Sequence, residues 1–284
     1  MRTTKRVLAI VGTAAFVLSV AACGDKPVDA VQVLTNAPEK TASAATAHFS
    51  ADVTMEAAGR RFTVHESGAL DLSGKQATMR LDASKLGIPG LRGDIEARLV
   101  DGAMYIDFSK FTAAAGAAMP PQFAGKRWLK MDLSKALQGA SALGNDPSSF
   151  TDSLQYLRGV DKDGIEEVGE EKVRGVEATR YRVEIDVATL RTKIADAGLP
   201  EATRQYLDKS FDAITGKTMH ENVWIDHDGR VRRQDFTMHM RVGSDAFTMH
   251  MSMDYFDFGA TVHADAPPAS EVFDASDLVS SATS

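Results

Sequence analysis

The sequence predicts an α+β protein that consists mainly of antiparallel β-structure, with about eleven strands and a few amphipathic helices. Three observations lead to this fold class. Apolar and polar residues alternate with a period of two over most of the chain after residue 47. Turn pairs that contain glycine separate the alternating runs. No helical pattern of the kind that parallel crossovers require lies between neighbouring runs.

The strands follow from the alternation and from the turn signals between them. Asp101-Gly102, Arg174-Gly175 and Asp228-Gly229 each predict a tight hairpin turn. The predicted strands lie at 49–57, 62–72, 77–83, 95–100, 104–108, 128–133, 164–171, 176–186, 218–226, 231–242 and 245–258.

Helices are predicted where apolar residues recur at a spacing of three or four. Three such stripes are Phe150, Leu154 and Leu157 after an Asp146-Pro147 start; Val187, Leu190, Ile194 and Ala197; and Leu207, Phe211 and Ile214 after Pro200. A first helix is also indicated by Val28, Val31 and Leu34, but Pro38 should break or kink it. Residues 23–46 are therefore either a short helix or a loose tether.

The chain begins with an export signal. A cationic start is followed by an uncharged, mostly apolar run over residues 7–20, which is the order of a bacterial secretory signal peptide. The next residues, up to Cys23, match the lipobox of bacterial lipoproteins, in which the cysteine is acylated after cleavage. We expect residues 1–22 to be removed and Cys23 to carry acyl chains that hold the protein on the extracytoplasmic face of the cell membrane. The alternative is an ordinary signal peptide that happens to end near a cysteine.

Composition excludes several classes of function. Cys23 is the sole cysteine, so the exported part has no disulfide and no thiolate metal site. Without residues 1–22 the chain has 29 Lys+Arg against 39 Asp+Glu, a net charge of −10. Such an acidic chain is a poor partner for nucleic acid and is repelled by anionic headgroups, so the acyl anchor must provide the membrane attachment.

The two strands at 231–242 and 245–258 carry an unusual density of methionine. Their apolar positions are even-numbered on one strand and odd-numbered on the other, so they share a face only if the loop has an even number of residues, as in Gly243-Ser244. Methionine is flexible and adapts to variable apolar partners. Either these side chains fill a core under the helices, or they also line a cavity for an apolar guest. The predicted lining residues are Val53, Met55, Met79, Leu81, Met238, Met240, Met249, Met251 and Met253.

Catalytic, metal and cofactor motifs are absent from the sequence, and we expect neither an enzyme nor a bound cofactor. The calcium-like starts at Asp161 and Asp226 lack the later ligands and are interpreted as turns. His239 and His250 could face each other across a hairpin, but two imidazoles make a poor zinc site. The Gly-rich stretch 86–93, with three apolar side chains that look exposed, is either a mobile flap at a cavity mouth or a plain surface loop.

Three stretches resemble a known family. These are 47–53 (Ala-His-Phe-Ser-Ala-Asp-Val), 174–183 (Arg-Gly-Val-Glu-Ala-Thr-Arg-Tyr-Arg-Val), and 223–226 (Val-Trp-Ile-Asp) followed by 228–233. Together with the lipobox they are similar to the LppX/LprG-type lipoproteins of actinobacteria, which share a fold with the carriers LolA and LolB. The resemblance implies a strongly curved half-barrel with helices on its concave face around an apolar cavity, and a role in carrying lipids or lipoglycans across the envelope.

From these observations we expect four segments: a signal peptide (1–22), the lipidated Cys23 with a tether or short helix (23–46), a half-barrel lipid-binding domain (47–266) and a C-terminal tail (267–284). The expected partners are an acylated lipid or lipoglycan and the membrane. The alternative is an envelope sensor that binds a protein partner through the same half-barrel. A lipid-modifying hydrolase would need a nucleophile beside a base, for which the sequence has no motif.

Overall fold

The computed structural model describes residues 29–86, 90–115, 120–132, 154, 157, 160, 162–196, 212, 214–242 and 245–276. The strands are β1 Thr46–Ala57, β2 Arg60–Asp71, β3 Gln76–Asp82, β4 Asp94–Val100, β5 Ala103–Asp107, β6 Trp128–Asp132, β7 Ile165–Val173, β8 Val176–Asp186, β9 Thr218–Asp226, β10 Val231–Val242, β11 Asp245–Phe256 and β12 Val272–Asp274. They form one curved, open sheet in the order β12-β6-β5-β4-β3-β2-β1-β11-β10-β9-β8-β7. The predicted antiparallel fold is confirmed, and each of the eleven predicted strands is present.

Strand β12 has no counterpart among the predicted strands. It lies within the segment 267–284 and pairs in parallel with β6, whereas the other neighbours in the sheet are antiparallel. Ala275 N donates to Lys130 O at 2.8 Å, and the Lys130 ammonium binds the Asp274 carboxylate at 2.9 Å. The sheet therefore extends past residue 266, and its first half ends against a segment from the end of the chain.

In the described part of the chain, three α-helices accompany the sheet: α1 Ala30–Ala42, α2 Ser109–Ala115 and α3 Val187–Asp196. The prediction that Pro38 interrupts the first helix is wrong, because α1 continues through it. Pro38 is buried together with Leu34, Ala37 and Thr41, and this packing outweighs the missing backbone hydrogen bond. Asp29 caps the helix by accepting from Val31 N at 3.1 Å.

Helix α1 packs on one face of the sheet, called here the inner face. Leu34 and Ala37 lie against a continuous core that also contains Leu154 and Leu157. The strand residues of this core are Ala47, Phe49, Leu70, Leu72, Ala77, Leu99, Tyr181, Val183, Ile185, Val223, Ile225, Val231 and Tyr255. We call this well-packed part of the inner face the packed zone.

The other helix predictions are tested only in part. Leu154 and Leu157 are fully buried as expected, while Asp146, Pro147 and Phe150 lie outside the described residues. Helix α3 begins at Val187 as predicted, and Ala197 lies beyond the described part. The third stripe falls outside the described residues except for Ile214, which forms an isolated bridge with Met240. Among the residues described, no helix combines the length and apolar character needed to cross a membrane.

Thr41 fastens α1 to the sheet, which gives a first prediction. Its hydroxyl donates to Ala37 O at 2.7 Å and accepts from Val231 N at 3.0 Å, and both Thr41 and Val231 are fully buried. Thr41→Val removes the acceptor of a buried N–H and should lower the free energy of unfolding by about 1–3 kcal/mol in chemical denaturation. Thr41→Ser keeps the hydroxyl and should lose less; an equal loss in both variants would contradict this role.

Gly68 gives a second prediction, because strands β2 and β3 approach each other too closely there for a side chain. A Cβ at this position would lie 1.9 Å from Thr78 O and 2.9 Å from Phe49 Cε1. Gly68→Ala must therefore separate the two strands, and we expect it to destabilise the protein by at least ~1–3 kcal/mol in thermal or chemical denaturation. The control is Ser67→Ala on the same strand, for which a change below about 0.5 kcal/mol is expected.

Candidate functional site

The register of the sheet aligns apolar side chains of neighbouring strands on the inner face. The paired rows include Val53–Met251–Phe236 and Met55–Met249–Met238, each taken from β1, β11 and β10 in turn. Val242 pairs with Asp245, so the connection between β10 and β11 is the two-residue segment 243–244. The prediction that the methionines of these two strands share a face, given an even loop, agrees with this register.

These rows form a second part of the inner face, the methionine zone, next to the packed zone. Its residues are Val53, Met55, Phe62, Val64, Phe236, Met238, Met249 and Met251. Val64 is buried and Phe62 is 40% exposed, whereas the other six are half-buried. The contrast with the fully buried residues under α1 means that the zone keeps apolar surface accessible.

The nine predicted lining residues all lie on the inner face, in four different surroundings. Val53, Met55, Met238, Met249 and Met251 belong to the methionine zone. Met79 and Met253 pack against the edge of the packed zone, and Leu81 packs against a small second core. Met240 is buried at the far end of β10.

An open cavity adjoins the methionine zone at the tips of the hairpins. Its volume is about 600 Å³, and it lies between the β1–β2 turn and the adjacent ends of β10 and β11. Ala57, Met240 and Phe247 contribute apolar surface that continues the methionine rows, and Arg60 lies at the rim. The zone therefore opens to solvent at this end.

Polar side chains also occur on the inner face, and three of them are hydrogen-bonded to one another. Tyr255 donates from its hydroxyl to Gln234 Oε1 at 2.9 Å, and Gln234 Nε2 donates to Glu221 Oε1 at 3.0 Å. All three side chains are buried. Burial, with a smaller contribution from the nearby Glu221, raises the pKa of Tyr255 well above its ordinary value. The phenol is therefore a neutral donor at physiological pH.

Glu66 is the inner-face polar residue that sequence reasoning missed. It pairs with Ala51 on one side and with Leu81 on the other, and it is half-buried. Desolvation raises the pKa of its carboxyl group, an effect only partly offset by His65. A signal was available: residue 66 has the same parity as Phe62, Val64 and Leu70, so a glutamate occupies an apolar-facing position.

The sheet opens beside Glu66. The β2–β3 ladder ends at the Glu66–Leu81 pair, and among the described strands the remaining half of β2, residues 60–65, pairs with β1 alone. A short 3-10 helix, Ala83–Lys85, follows β3 at this point. Glu66 thus lies at the boundary between the continuous sheet and a free strand edge.

The Gly-rich stretch 86–93 starts next to this opening, and part of its prediction is corrected. Leu91, expected to be exposed, is 3% exposed and packs with Ala83 and Ile95. Leu86 packs against the same cluster. Residues 87–89 lie outside the described part, so the choice between a flap and a surface loop stays open.

The outer face carries polar and charged side chains. His239 and His250 do not face each other across the hairpin, because the register places each of them opposite a threonine. His239 Nδ1 lies 3.0 Å from Thr248 Oγ1, and His250 Nδ1 lies 3.1 Å from Thr237 Oγ1. Within the described residues, no group of three or more His, Cys, Asp or Glu side chains could hold a metal ion.

The turn that starts at Asp226 is built from hydrogen bonds. Its Oδ1 accepts from the backbone N of Asp228 at 3.0 Å and of Arg230 at 2.9 Å. Its Oδ2 accepts from Arg232 Nε at 2.6 Å. The carboxylate is therefore occupied in stabilising the β9–β10 connection, as expected for a turn residue.

The chain was compared with family models, curated proteins and solved structures. No family model matches the chain. An uncharacterized 31.2 kDa protein of Streptomyces griseus, encoded in the rplA-rplJ intergenic region, is 26% identical over 217 residues. That match covers 75% of this chain and 66% of the Streptomyces protein, just under two thirds of its length.

Two solved structures are similar over most of the chain. LprF from Mycobacterium bovis is 14% identical, with a TM-score of 0.47, and the match covers 84% of this chain and 97% of LprF. The Mycobacterium tuberculosis lipoprotein LppX is 12% identical, also with a TM-score of 0.47, and the match covers 82% of this chain and 99% of LppX. The chain is thus similar in outline to these two mycobacterial proteins.

Proposed function

We propose that the protein is a membrane-anchored lipoprotein that binds acylated lipids or lipoglycans on its inner face and carries them within the cell envelope. The observation that supports this proposal best is the methionine zone: apolar side chains of four strands form one continuous, half-buried surface that runs into an open cavity. A folded protein rarely leaves such a surface accessible without a partner for it.

The dimensions of the zone suit a hydrocarbon chain. From Val53 to Ala57 of β1 the apolar rows extend over four residues, which is about 13 Å of extended strand. Each methylene removed from water contributes about 0.8 kcal/mol, so a partly bound acyl chain already gains several kcal/mol. The methionines can adjust to guests of different shape, because their side chains are unbranched and flexible.

Attachment to the membrane is the second part of the proposal. Residues 1–22 have the order of a signal peptide, and Cys23 ends the lipobox. Acyl chains on Cys23 hold the protein at the extracytoplasmic face of the cell membrane, since two or more chains give stable anchoring. The resemblance to LppX/LprG-type lipoproteins supports the same location and the same cargo class.

A non-catalytic role is included in the proposal. In the part of the inner face that the structure describes, Tyr255, Gln234 and Glu221 bond to one another and leave no nucleophile beside a general base. The alternative role as a sensor for a protein partner makes a different prediction: the partner, and not lipid, would occupy the inner face.

Lipid binding is tested with the whole chain carrying Cys23→Ser, so that no anchor is added. We expect organic extraction and mass spectrometry to find co-purified acyl lipid, and a fluorescent fatty-acid probe to bind saturably. A crosslinking pull-down tests the alternative role as a sensor. A stoichiometric protein partner without any bound lipid would favour that role.

The site of binding is tested by filling the methionine zone. Met249→Trp places a bulky ring among Met55 and Met238 and should weaken probe binding about tenfold, the equivalent of ~1.4 kcal/mol or roughly two methylenes of lost contact. Ser252→Trp is the matched control, because Ser252 lies on the outer face of the same strand and does not line the cavity. Equal effects of the two variants would contradict binding on the inner face.

The anchor is tested by Cys23→Ser in cells that export the protein. Because Cys23 is the only cysteine, this change removes every thiol that could be acylated. We expect labelled palmitate to be incorporated into the wild-type protein and not into the Cys23→Ser variant. The variant should move from the membrane fraction to the soluble fraction. An unchanged membrane association in the variant would overturn the lipoprotein assignment.

A further inference from the structure

Glu66 is placed where a carboxylic acid is costly. Its partners across the strands are Ala51 and Leu81, and its neighbour on the same side of β2 is Val64, so none of these side chains offers a polar atom. No hydrogen bond to its carboxyl group occurs among the described residues. Sequestering such a group without a hydrogen bond destabilises a protein. A bound guest that supplies the missing partner would remove that cost.

The charged groups on the adjoining elements face away from Glu66. On β1 the nearest one is Asp52, which lies on the outer face and binds His65 at 3.0 Å. On β3 Arg80 and Asp82 alternate with the inner-facing Leu81, and Asp82 accepts from Ser84 N at 3.0 Å. On β4 the inner position opposite Leu81 is the apolar Ile95. Among the described residues, the His65 imidazole, which binds Asp52, favours the ionised carboxyl group, and desolvation outweighs this effect.

A protonated carboxyl group can both donate and accept a hydrogen bond, and an ionised one still accepts from a hydroxyl group. An uncharged alcohol is its natural partner, because it can accept from the acid and donate to its carbonyl oxygen. A fatty-acid anion or a phosphate would add a second negative charge to a poorly solvated site, which is unfavourable. An ammonium group would have to lose its own hydration, which an isolated pair seldom recovers in full.

The position of Glu66 also fits the end of a guest. It lies at the last rung of the β2–β3 ladder, beside the free edge of β2, while the methionine zone begins at the next pair, Val53–Val64. From there the apolar rows continue toward the hairpin tips for about 13 Å. A chain on the methionine zone can therefore place its polar end at Glu66, close to the opening of the sheet.

We propose that Glu66 binds the hydroxyl group of an uncharged acyl lipid at the edge of the methionine zone, and that it thereby selects hydroxyl-bearing neutral lipids over fatty-acid anions. This inference rests on the proposed lipid-binding function and specifies the class of its cargo. Glu66 acts in it as a specificity residue and takes part in no covalent step.

The test is a competition on the whole chain with Cys23→Ser, using a fluorescent fatty-acyl probe. Three competitors share one saturated chain: a monoacylglycerol with free hydroxyls, the methyl ester, which is neutral without a hydroxyl, and the free fatty acid. We expect the monoacylglycerol to displace the probe at an about tenfold lower concentration than either of the others, as one additional hydrogen bond of ~1.4 kcal/mol would give.

Variants of Glu66 separate its hydroxyl recognition from general apolar binding. Glu66→Leu should abolish the preference for the monoacylglycerol while the methyl ester binds as well as before or better. Glu66→Gln should keep most of the preference, because an amide also donates and accepts. Glu96→Leu is the control, since Glu96 belongs to the same sheet but pairs with Arg98 at 2.8 Å on the outer face.

The outcomes distinguish the two proposals. An unchanged preference in Glu66→Leu, or a preference of the wild-type protein for a long-chain amine, would overturn the role of Glu66 and leave lipid binding intact. The absence of saturable probe binding would overturn both. Thermal unfolding adds a readout that a structural residue would not give: Glu66→Leu should raise the melting temperature, whereas loss of a structural contact would lower it.

The pH dependence of stability provides a further check on the same carboxyl group. Because the folded-state pKa is raised above the ordinary value of 4.5, the folded protein holds a proton that the unfolded chain releases. Stability should therefore fall as the pH rises from that value through the raised pKa. The difference in melting temperature between Glu66→Gln and the wild type should grow over this interval. A constant difference would overturn the idea that Glu66 is held neutral.

Discussion

The register of the pairs β2–β1, β1–β11 and β11–β10 is the constraint on which the other features depend. Because inner-facing residues of one strand pair with inner-facing residues of the next, four long strands combine their apolar side chains into one surface. A shift of one residue in any of these pairs would turn its apolar set toward solvent and its threonines and histidines inward. The Ala57–Arg60 pair and the Val242–Asp245 pair close the two hairpins that fix this register.

The same surface serves two purposes at its two ends. Under α1 the side chains of Phe49, Leu70 and Leu72 are buried, and the Thr41–Val231 hydrogen bond holds the helix in place. Toward the hairpin tips the methionine zone keeps exposed area. The packed zone supplies the stability of a domain without disulfides, and this leaves the other end free to remain incompletely covered.

The alternation pattern was sufficient to locate the eleven long antiparallel strands, because each was bounded by a local turn signal. Strand β12 carried no such signal: it is three residues long, and its partner β6 is distant in sequence, so its pairing depends on tertiary contacts. Local rules also failed at two residues. At Pro38 the burial of the helix outweighs a missing hydrogen bond. At Leu91 the neighbouring glycines suggested an exposed loop, but the side chain is buried. The zone could be predicted from parity, but the division into packed and accessible parts could not, since it depends on which residues α1 covers.

Two of the carboxyl groups on the inner face, those of Glu66 and Glu221, lead to the most specific conclusion about function. Both occupy apolar-facing positions, yet Glu221 accepts a hydrogen bond from Gln234, which in turn accepts from Tyr255. Glu66 has no comparable partner among the described residues, although the sheet could have placed a polar side chain at Ala51 or Leu81. A buried polar group that is hydrogen-bonded to its neighbours stabilises the fold, whereas one without such a partner is available to bind a ligand. Glu66 belongs to the last residue pair of the β2–β3 ladder, next to the free edge of β2. The polar end of a lipid on the methionine zone would lie at this position.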